Sequence, residues 1–394
     1  MSKGSKPERA RVALVQIGDV RNVRTNSGTP FFSKRAFEQH VGEVVDLSPA
    51  PVARLPHRAL GKLASMATGR KAPWIFDPTL ARRLGAYYTS LLRKGDYDIV
   101  FSPCSSSTLA YIDTTLPVVY FSDITWQLAR NYYECYTDVL GPYDRAAERI
   151  ERRAMERSSL VILPSHWSAE NAVQGYGIDP KRVEVLYIGA NLLDPPSRGS
   201  VLPRKLDRTI RLLLVGVDWE IKGGAIALDA LRMLLERGVD AHLTVVGCAA
   251  PEGVSHERMT VLPFLNKQLP EERARFEALW RDADFFLLPT RFEAAGIVLC
   301  EAGAYGLPSL ATATGGIPSL IRDGRNGYAL PRRAEAFADA VMEIAANPEH
   351  YARLCETSRD EFEARLNWDV WGRSVAALLR ERLPHLAERI GEER

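Results

Sequence analysis

Short apolar segments alternate with longer helical segments along almost the whole chain, and this alternation restricts the possible folds more than any other feature. In the first half the segments RVALVQIG, YDIVFSP, PVVYFSD and SLVILPS are short, continuous and rich in β-branched or aromatic residues. Such runs are typical of strands buried on both faces of a parallel sheet. The alternation restarts in the second half with RLLLVG, HLTVVG, DFFLLP and SLATA. The pattern predicts an α/β protein in which one architecture occurs twice.

The break between the two halves predicts the domain boundaries. Residues 194–208 contain three prolines and show no apolar periodicity, which is typical of an interdomain linker. We predict an N-terminal domain over residues 1–193, a linker over 194–208 and a C-terminal domain over 209–370. We further predict a C-terminal helix over residues 371–394.

Bulk properties restrict the compartment and the chemistry. The chain of 394 residues contains no run of about 18 apolar residues that would span a membrane. Its start lacks the apolar stretch and the small-residue cleavage site of a signal peptide. The five cysteines form no CxxC pair, and no histidine lies in an HxxxH or HExxH setting. We therefore expect a cytoplasmic protein without a disulfide framework and without a metal.

Positive charge is concentrated near the N-terminus. Residues 1–100 contain 17 Lys and Arg against 8 Asp and Glu, a net charge of +9 in a chain whose total is +2. The excess is densest in RLPHRALGKLASMATGRK, which has no acidic residue. Such a region attracts an anionic acceptor or an anionic membrane surface, and a solvated basic helix face is the plain alternative. Aromatic residues do not alternate with the basic ones, so we expect no nucleic-acid partner.

The densest chemical signal is PTRFEAAGIVLCEAGAYGLPSLATATGGIP, residues 289–318. A strand ends in a loop with Arg291 and Glu293, and a helix then begins near Gly296 and contains Glu301. The N–H groups and the dipole at a helix start favour a diphosphate, and glycine lets a ligand approach the backbone. A carboxylate about one turn into the helix can accept hydrogen bonds from both hydroxyls of a ribose. The two glutamates therefore predict a site for the two ends of a nucleotide sugar.

This segment resembles the E-x7-E signature of the family-4 retaining glycosyltransferases. The match runs Glu293-AAGIVLC-Glu301, with the lead-in PTR before it and EAGAYGLP and a diglycine after it. The resemblance implies the GT-B fold, in which two Rossmann-like domains face each other across a cleft and a C-terminal helix returns to the N-terminal domain. It also implies that Glu293 contacts the donor sugar and Glu301 the ribose. The backbone amides of Ala295, Gly296 and Ile297 would hold the diphosphate.

Upstream, RLLLVGVDWEIKGG resembles the G-R-x-x-x-x-K-G element of the same family. The resemblance makes Lys222 the cation that stabilises the leaving phosphate, with an exposed turn lysine as the alternative. The arginine of that element is replaced here by Val217. Arg291 is a candidate substitute because it lies beside Glu293, and a structural ion pair of Arg291 is the alternative.

The remaining candidate residues follow other strands. The resemblance places backbone groups of Phe264 and Leu265 against the nucleotide base, without indicating which base it is. Gly28, in the SGTP turn after the first strand, matches the family's glycine loop over the donor, with an N-cap turn as the alternative. Ser122 stands where many members have the histidine of a His-Asp pair, so a histidine proton role is not transferred. Asp123 would orient a donor or acceptor hydroxyl, or one of these two residues would cap the next helix.

The sequence thus predicts a metal-independent retaining glycosyltransferase of the hexosyltransferase type, with Lys222, Glu293 and Asp123 as its catalytic residues. The resemblance implies a UDP-sugar or a GDP-sugar as donor and co-substrate, and no further cofactor. The acceptor would be a hydroxyl of a small molecule, a glycan or a lipid-linked compound, and peripheral association with an anionic membrane fits the last of these. Two alternatives stay open: a nucleotide-sugar epimerase of the same fold, and a non-catalytic nucleotide-sugar-binding protein.

Overall fold

A computed structural model describes residues 8–391 of the chain. The chain forms two compact units. The first contains the described residues up to Tyr187 together with those from Trp368 onward, and the second contains Ile188–Asn367. Both changes of unit therefore lie a few residues before the predicted boundaries after residues 193 and 370.

The first unit is built on a sheet of six parallel strands. The strands are β1 Arg11–Leu14, β2 Glu43–Asp46, β3 Ile99–Pro103, β4 Val118–Phe121, β5 Leu160–Leu163 and β6 Val183–Val185. They lie in the order β2-β1-β3-β4-β5-β6, and all neighbours are parallel. The central strands β3, β4 and β5 are buried at every position, as expected where helices cover both faces of a parallel sheet.

Helices connect these strands and supply the two outer layers. They are α1 Thr29–His40, α2 Leu55–Thr68, α3 Pro78–Lys94, α4 Ser106–Leu109, α5 Trp126–Ala129, α6 Gly141–Arg157 and α7 His166–Gln174. The start of α3 shows how the sequence defines a helix end. Pro78 is its first residue, and the Asp77 carboxylate accepts hydrogen bonds from the N–H groups of Thr79 and Leu80.

The second unit contains another sheet of six parallel strands. They are β7 Ile210–Val215, β8 Ala241–Val246, β9 Met259–Leu262, β10 Phe285–Leu288, β11 Ser309–Thr312 and β12 Gly327–Leu330. Their order is β9-β8-β7-β10-β11-β12, again with all neighbours parallel. This is the strand order of a Rossmann fold, whose chain direction across the sheet reverses between the first and fourth strands. Here the reversal lies between β7 and β10.

The helices of the second unit follow the same alternation. They are α8 Trp219–Lys222, α9 Gly224–Glu236, α10 Pro270–Asp282, α11 Ile297–Ala304, α12 Ile317–Leu320, α13 Ala334–Ala345 and α14 Pro348–Arg365. Helices α9 and α13 bury their apolar faces on the sheet in one continuous core. Within residues 8–391 no helix is both long enough and apolar enough to cross a membrane.

The last helix, α15 Trp368–Arg382, packs on α1 in the first unit. Trp371 is buried, and its ring centroid lies 5.9 Å from that of Phe37 and 5.0 Å from that of Phe121. The imidazole of His40, at the end of α1, lies 2.8 Å from a carboxylate oxygen of Asp369. The C-terminal segment thus completes the core of the first unit.

The segment predicted as the linker packs against the second unit. Residues 194–208 belong to the second unit, where Val201 is buried and Leu202 and Leu206 pack against the core. The Arg204 guanidinium donates hydrogen bonds to the backbone oxygens of Tyr305 at 3.2 Å and Arg281 at 3.0 Å. A short 3-10 helix, Arg198–Ser200, forms within this segment, and its apolar residues attach it to the second unit.

Candidate functional site

The reversal of strand order in the second unit marks the place where a ligand is expected. In an open parallel sheet, ligands bind beyond the carboxyl ends of the strands where the order reverses. The neighbours at this point are β7 and β10. The loop after β7 leads to Lys222, and the loop after β10 contains Glu293. The two predicted motifs therefore meet at one edge of one sheet.

Lys222 is held by the local fold of the loop after β7. It is the last residue of the one-turn helix α8, which Asp218 caps by accepting a 2.8 Å hydrogen bond from the Ile221 N–H. Gly216 makes room for the lysine, because a Cβ at that position would lie 2.4 Å from Cγ of Lys222. The side chain is thus laid across the end of β7, and only 20% of it is exposed.

Glu293 joins Lys222 to the start of α11. Its Oε2 lies 2.7 Å from Nζ of Lys222, and its Oε1 accepts a 3.0 Å hydrogen bond from the Gly296 N–H. Only 15% of the glutamate side chain is exposed, so water screens this ion pair less than it screens a surface pair. The backbone oxygen of Glu293 accepts a further 3.0 Å hydrogen bond from the N–H of Gly316. One residue therefore ties together three segments that are distant in sequence.

The start of α11 favours an anion. Gly296 caps the helix with a φ of 64°, a left-handed conformation that glycine adopts without strain. The first N–H groups of a helix have no partner inside it, and the helix dipole adds positive potential there. Ala294 and Ala295, just before this point, are buried. The helix start and Lys222, whose charge Glu293 balances in this structure, lie side by side in an arrangement suited to phosphate oxygens.

Glu301 lies further along α11 and is paired with a residue that the sequence analysis missed. The glutamate is buried, and its Oε1 lies 2.9 Å from Nζ of Lys267. The Lys267 ammonium also lies 5.2 Å from the ring centroid of Phe276. Lys267 lies two residues after Leu265, in the predicted base-binding loop. This position is the signal by which the sequence could have identified the lysine as a site residue. The structure therefore adds a cation to the predicted ribose site.

The predicted base-binding residues follow β9 at the edge of the sheet. Phe264 is exposed and Leu265 is buried. The loop is anchored beyond them, where the Asn266 N–H donates a 2.5 Å hydrogen bond to the Glu272 carboxylate. One strand, β8, separates β9 from β7, so the loop after β9 and the loop after β7 begin roughly 10 Å apart. This span is of the size of a nucleoside diphosphate.

Among the residues that the structure describes, Arg291 forms no ion pair with a carboxylate. Its guanidinium instead lies 5.9 Å from the ring centroid of Phe292. The pKa of Arg332 is lowered, first by burial and then by the charge of Arg291. Val217, in place of the family arginine, is exposed. Two neighbouring arginines thus add positive charge to a region where Val217 supplies none.

In the first unit, strand order reverses between β1 and β3, and the Gly28 loop follows β1. Asn26, Ser27 and Gly28 have φ values of 44°, 55° and 86°, which strain the backbone at the two residues that are not glycine. The Asn26 amide donates a 3.3 Å hydrogen bond to the backbone oxygen of Cys104, which follows β3 and has a φ of 52°. Strained residues from two loops therefore meet at the reversal point, where functional sites concentrate such strain. Gly28 is also the N-cap of α1.

Asp123 follows β4, the next strand of the same sheet, and is partly buried. Its charge raises the pKa of the Cys104 thiol further, after burial, which is the larger cause. The Ser122 hydroxyl donates a 3.0 Å hydrogen bond to the backbone oxygen of Ile124. Ser122 therefore closes its own turn, and the N-cap of α5 is Thr125.

The charge of Asp123 also affects the pKa of a second carboxylate, that of Glu151. Glu151 of α6 is buried and accepts a 2.9 Å hydrogen bond from the hydroxyl of Tyr120. Burial raises the pKa of Glu151 to about 7, partly opposed by hydrogen bonds from Ser106 and Tyr120, and the charge of Asp123 adds to the rise. Sequence analysis missed this residue because it lies within a charged amphipathic helix.

The predicted residues fall into two groups, one in each unit. The first unit holds Gly28 and Asp123. The second brings Lys222 and Glu293 into direct contact beside the residues 295–297, with Arg291 on the same loop. It holds Glu301 in a separate pair with Lys267 and places Phe264 and Leu265 after β9.

Within residues 8–391 no group of three or more His, Cys, Asp or Glu is arranged to hold a metal. Two DxD triplets occur at 96–98 and 282–284, and each lies just before a strand rather than after one. Asp98 and Asp284 accept hydrogen bonds from the N–H groups of Arg11 at 2.7 Å and Arg211 at 2.8 Å. These aspartates therefore belong to the edge of each sheet opposite the candidate residues.

Two family models match the chain, one on each half. The model described as Glycosyltransferase Family 4 matches residues 35–192, and the model described as Glycosyl transferases group 1 matches residues 209–347. A curated relative, the D-inositol 3-phosphate glycosyltransferase of Mycolicibacterium gilvum, is 27% identical over 249 residues, which are 58% of this chain and 52% of the relative. The chain spans 52–64% of the length of this relative and of three Corynebacterium proteins with the same name.

Solved structures are similar over nearly the whole chain. Sucrose-phosphate synthase from Thermosynechococcus elongatus has a TM-score of 0.64 at 18% identity, covering 96% of this chain and 100% of that one. The Anabaena protein HepE in complex with UDP and glucose has a TM-score of 0.60 at 18% identity, covering 94% of this chain and 99% of that one. At this identity the likeness concerns the fold, and it confirms the predicted GT-B class with two Rossmann-like domains.

Proposed function

The chain resembles the family-4 glycosyltransferases in both of its units, and we propose that it moves a sugar from a nucleotide-diphosphate sugar to an acceptor hydroxyl with retention of anomeric configuration. The observation that carries the proposal is the contact between Lys222 and Glu293 at the start of α11. A cation, a helix start and an anchored carboxylate side by side match the diphosphate and the sugar of such a donor.

In this proposal the donor lies along the carboxyl edge of the second sheet. The diphosphate contacts Lys222 and the amides of Ala295, Gly296 and Ile297, and at Gly296 it replaces the Glu293 carboxylate as the hydrogen-bond acceptor. Glu293 accepts hydrogen bonds from sugar hydroxyls, because it lies on the same loop as these amides. Glu301 accepts from the ribose, with Lys267 beside it to compensate its charge.

The base would lie against the loop after β9. Backbone groups of Phe264 and Leu265 are proposed to contact it. We propose a UDP-sugar as the donor, with a GDP-sugar as the other candidate. The UDP and glucose in the structure of Anabaena HepE, which shares the fold, support the first choice.

The chemistry then depends on stabilising the leaving group. The acceptor oxygen attacks the anomeric carbon on the face from which the diphosphate departs. The bond from that carbon to the phosphate oxygen breaks, and the leaving phosphate takes the acceptor proton. Lys222 and the helix amides stabilise the charge that develops on the phosphate, so the mechanism uses no enzymic nucleophile, metal or cofactor.

The first unit is proposed to serve the acceptor. Asp123 would orient a hydroxyl of the acceptor or of the donor sugar, and Gly28 is proposed as a further donor-binding residue. The net charge of +9 over residues 1–100 supports an anionic acceptor. The five free cysteines support a reducing cytoplasm as the place of action.

Thermal unfolding with UDP, GDP, ADP, dTDP and their sugar conjugates tests the donor site. A ligand at about 100 times its Kd stabilises the folded protein by roughly 2.7 kcal/mol, which is visible as a shift in Tm. We expect one nucleotide series to shift the wild type, to shift Glu301→Gln less, and to shift the control Glu236→Gln, an exposed glutamate of the same unit, as much as the wild type. If no nucleotide shifts the wild type, the donor site is wrong.

Product analysis tests the reaction itself. With the donor identified, a transferase forms product only when an acceptor is added, and NMR of the product reports its anomeric configuration. Conversion of the donor without acceptor would identify an epimerase. Donor binding without turnover on any acceptor would identify a binding protein.

A further inference from the structure

Helix α2 is attached to the first unit along one narrow face. His57 and Gly61 are the buried residues of this helix. A Cβ on Gly61 would lie 2.8 Å from the backbone oxygen of Ala72, and the Ser65 hydroxyl accepts a 3.0 Å hydrogen bond from the Ala72 N–H. The helix therefore lies closely against the following segment and turns its remaining surface outward.

The outward surface of α2 carries large apolar side chains. Leu55, Leu60, Leu63 and Met66 are exposed over 76%, 57%, 61% and 72% of their surfaces. Elsewhere among residues 8–391 such exposed large apolar side chains do not gather on a single helix. Leu55, Leu63 and Met66 recur at helical spacing and form one stripe. A monomeric protein in water gains nothing from a stripe of this kind, which marks an interaction surface.

Cations border the stripe. Arg58 and Lys62 lie one turn apart on α2 and are exposed. Neither takes part in an ion pair among the residues that the structure describes. Residues 54–71 contain five cations and no acid. Arg70, just beyond the helix, is the member of this set that pairs with an acid, Asp138, at 2.9 Å.

We propose that α2 docks the protein on the surface of an anionic lipid bilayer. Leu55, Leu60, Leu63 and Met66 would enter the boundary between headgroups and acyl chains. The long stems of Arg58 and Lys62 would keep their charges at the level of the phosphates. Charge complementarity selects this partner, since cations without an acidic partner beside apolar residues match a surface that is anionic outside and apolar beneath.

The docking surface places the first unit at the membrane. Membrane docking by this surface does not depend on the donor site, which lies in the second unit. It does bear on the acceptor, because an enzyme held at a bilayer meets anionic lipids or lipid-linked compounds at high local concentration.

Vesicle sedimentation tests the proposal with the full-length protein. The protein is mixed with vesicles of phosphatidylglycerol and phosphatidylcholine in equal parts, or of phosphatidylcholine alone, at low and high salt. We expect the wild type to sediment with the anionic vesicles at low salt and much less at high salt or with the neutral vesicles. No binding to the anionic vesicles at low salt would overturn the proposal.

Matched variants locate the surface. Arg58→Gln/Lys62→Gln should weaken vesicle binding by roughly tenfold or more. Lys205→Gln/Arg208→Gln removes the same charge from exposed positions of the second unit and should bind like the wild type. Leu63→Gln/Met66→Gln should also weaken binding, whereas Leu269→Gln, at an exposed leucine outside α2, should not. Equal binding by the α2 variants and their controls would show that another surface is responsible.

Two further measurements test whether the variants fold and whether the stripe instead joins two copies of the chain. Circular dichroism and the Tm of each variant show that it folds, as expected for changes at exposed positions. Light scattering measures the oligomeric state of the wild type and of Leu63→Gln/Met66→Gln. A wild-type dimer that these substitutions convert to a monomer would overturn the lipid assignment.

Discussion

Lys222 and Glu293 lie 71 positions apart in the sequence, yet Nζ of the lysine lies 2.7 Å from Oε2 of the glutamate. The contact exists because their loops follow β7 and β10, the two strands between which the order of the second sheet reverses. The other oxygen of Glu293 holds the Gly296 N–H. The lysine, the glutamate and the helix start are thus linked by direct contacts, so a change at any one of them affects the other two.

Replacing Lys222 with Ala should lower kcat by roughly ten- to a thousand-fold, because the charge that develops on the leaving phosphate loses its cation. Steady-state kinetics with the identified donor measure the effect. Lys205→Ala, at an exposed lysine of the same unit, serves as the control and should leave kcat unchanged. A kcat for Lys222→Ala within twofold of the wild type would contradict the proposed role.

The pair between Lys267 and Glu301 should show measurable coupling, because the glutamate is buried and would lose its cation. In a double-mutant cycle of Lys267→Met and Glu301→Gln, we expect a coupling of about 1 kcal/mol or more in the free energy of unfolding. The exposed pair Arg232–Asp229 provides a reference cycle, expected below about 0.5 kcal/mol. Equal coupling in the two cycles would mean that Lys267 does not stabilise the Glu301 charge.

Arg291 and Arg332 should together contribute to donor binding in place of the arginine that Val217 replaces. The variant Arg291→Gln/Arg332→Gln should raise the donor Kd by roughly tenfold, and its Kd should depend less on salt. Isothermal titration with the nucleoside diphosphate measures both effects. Lys205→Gln/Arg208→Gln controls for the loss of two charges, and a similar Kd for the two double variants would remove the arginines from the site.

Glu151 should make stability depend on pH between about 4.5 and 7. Burial raises its pKa to about 7 in the folded protein, so the folded state binds its proton more tightly than the unfolded state does. This contribution is fully present below pH 4.5 and is lost as the pH rises through 7. Relative to Glu151→Gln, the wild type should lose up to about 3 kcal/mol between pH 4.5 and pH 8. Urea unfolding of both proteins across this range measures the difference, and a pH-independent difference would contradict it.

Chelation should not affect the reaction, because Lys222 and the start of α11 supply the positive charge that a metal gives other transferases. Activity after dialysis against EDTA should stay within roughly twofold of the untreated enzyme. A loss that Mg²⁺ or Mn²⁺ restores would place a metal in the mechanism.

The fold was predictable where strands are continuous and apolar. FFLL in β10 and LVIL in β5 are buried at every position, and their composition alone identifies them. EVVD in β2 and GYAL in β12 were missed because these short edge strands begin or end with charged residues or with glycine. An edge strand is covered less completely, so its sequence mixes polar and apolar residues and resembles a loop.

The site was predictable where its residues belong to one motif. Glu293, Gly296 and Glu301 follow one another along the chain, and Lys222 has its own motif. Lys267 contacts Glu301 from 34 positions away in the sequence. The charge of Arg291 lowers the pKa of Arg332, which follows a different strand. Such contacts depend on strand order, which the pattern of hydrophobic residues does not specify.

The packing of α15 on α1 makes the first unit discontinuous in sequence, whereas the second is one continuous segment. A gene fragment for residues 188–367 therefore encodes a whole unit with its donor-side residues. A fragment ending at residue 187 would lack Trp371 and leave Phe37 and Phe121 uncovered. During synthesis the first unit would likewise be completed only after the second has been made. Removal of α15 would thus damage the first unit, most of whose sequence lies far upstream of this helix.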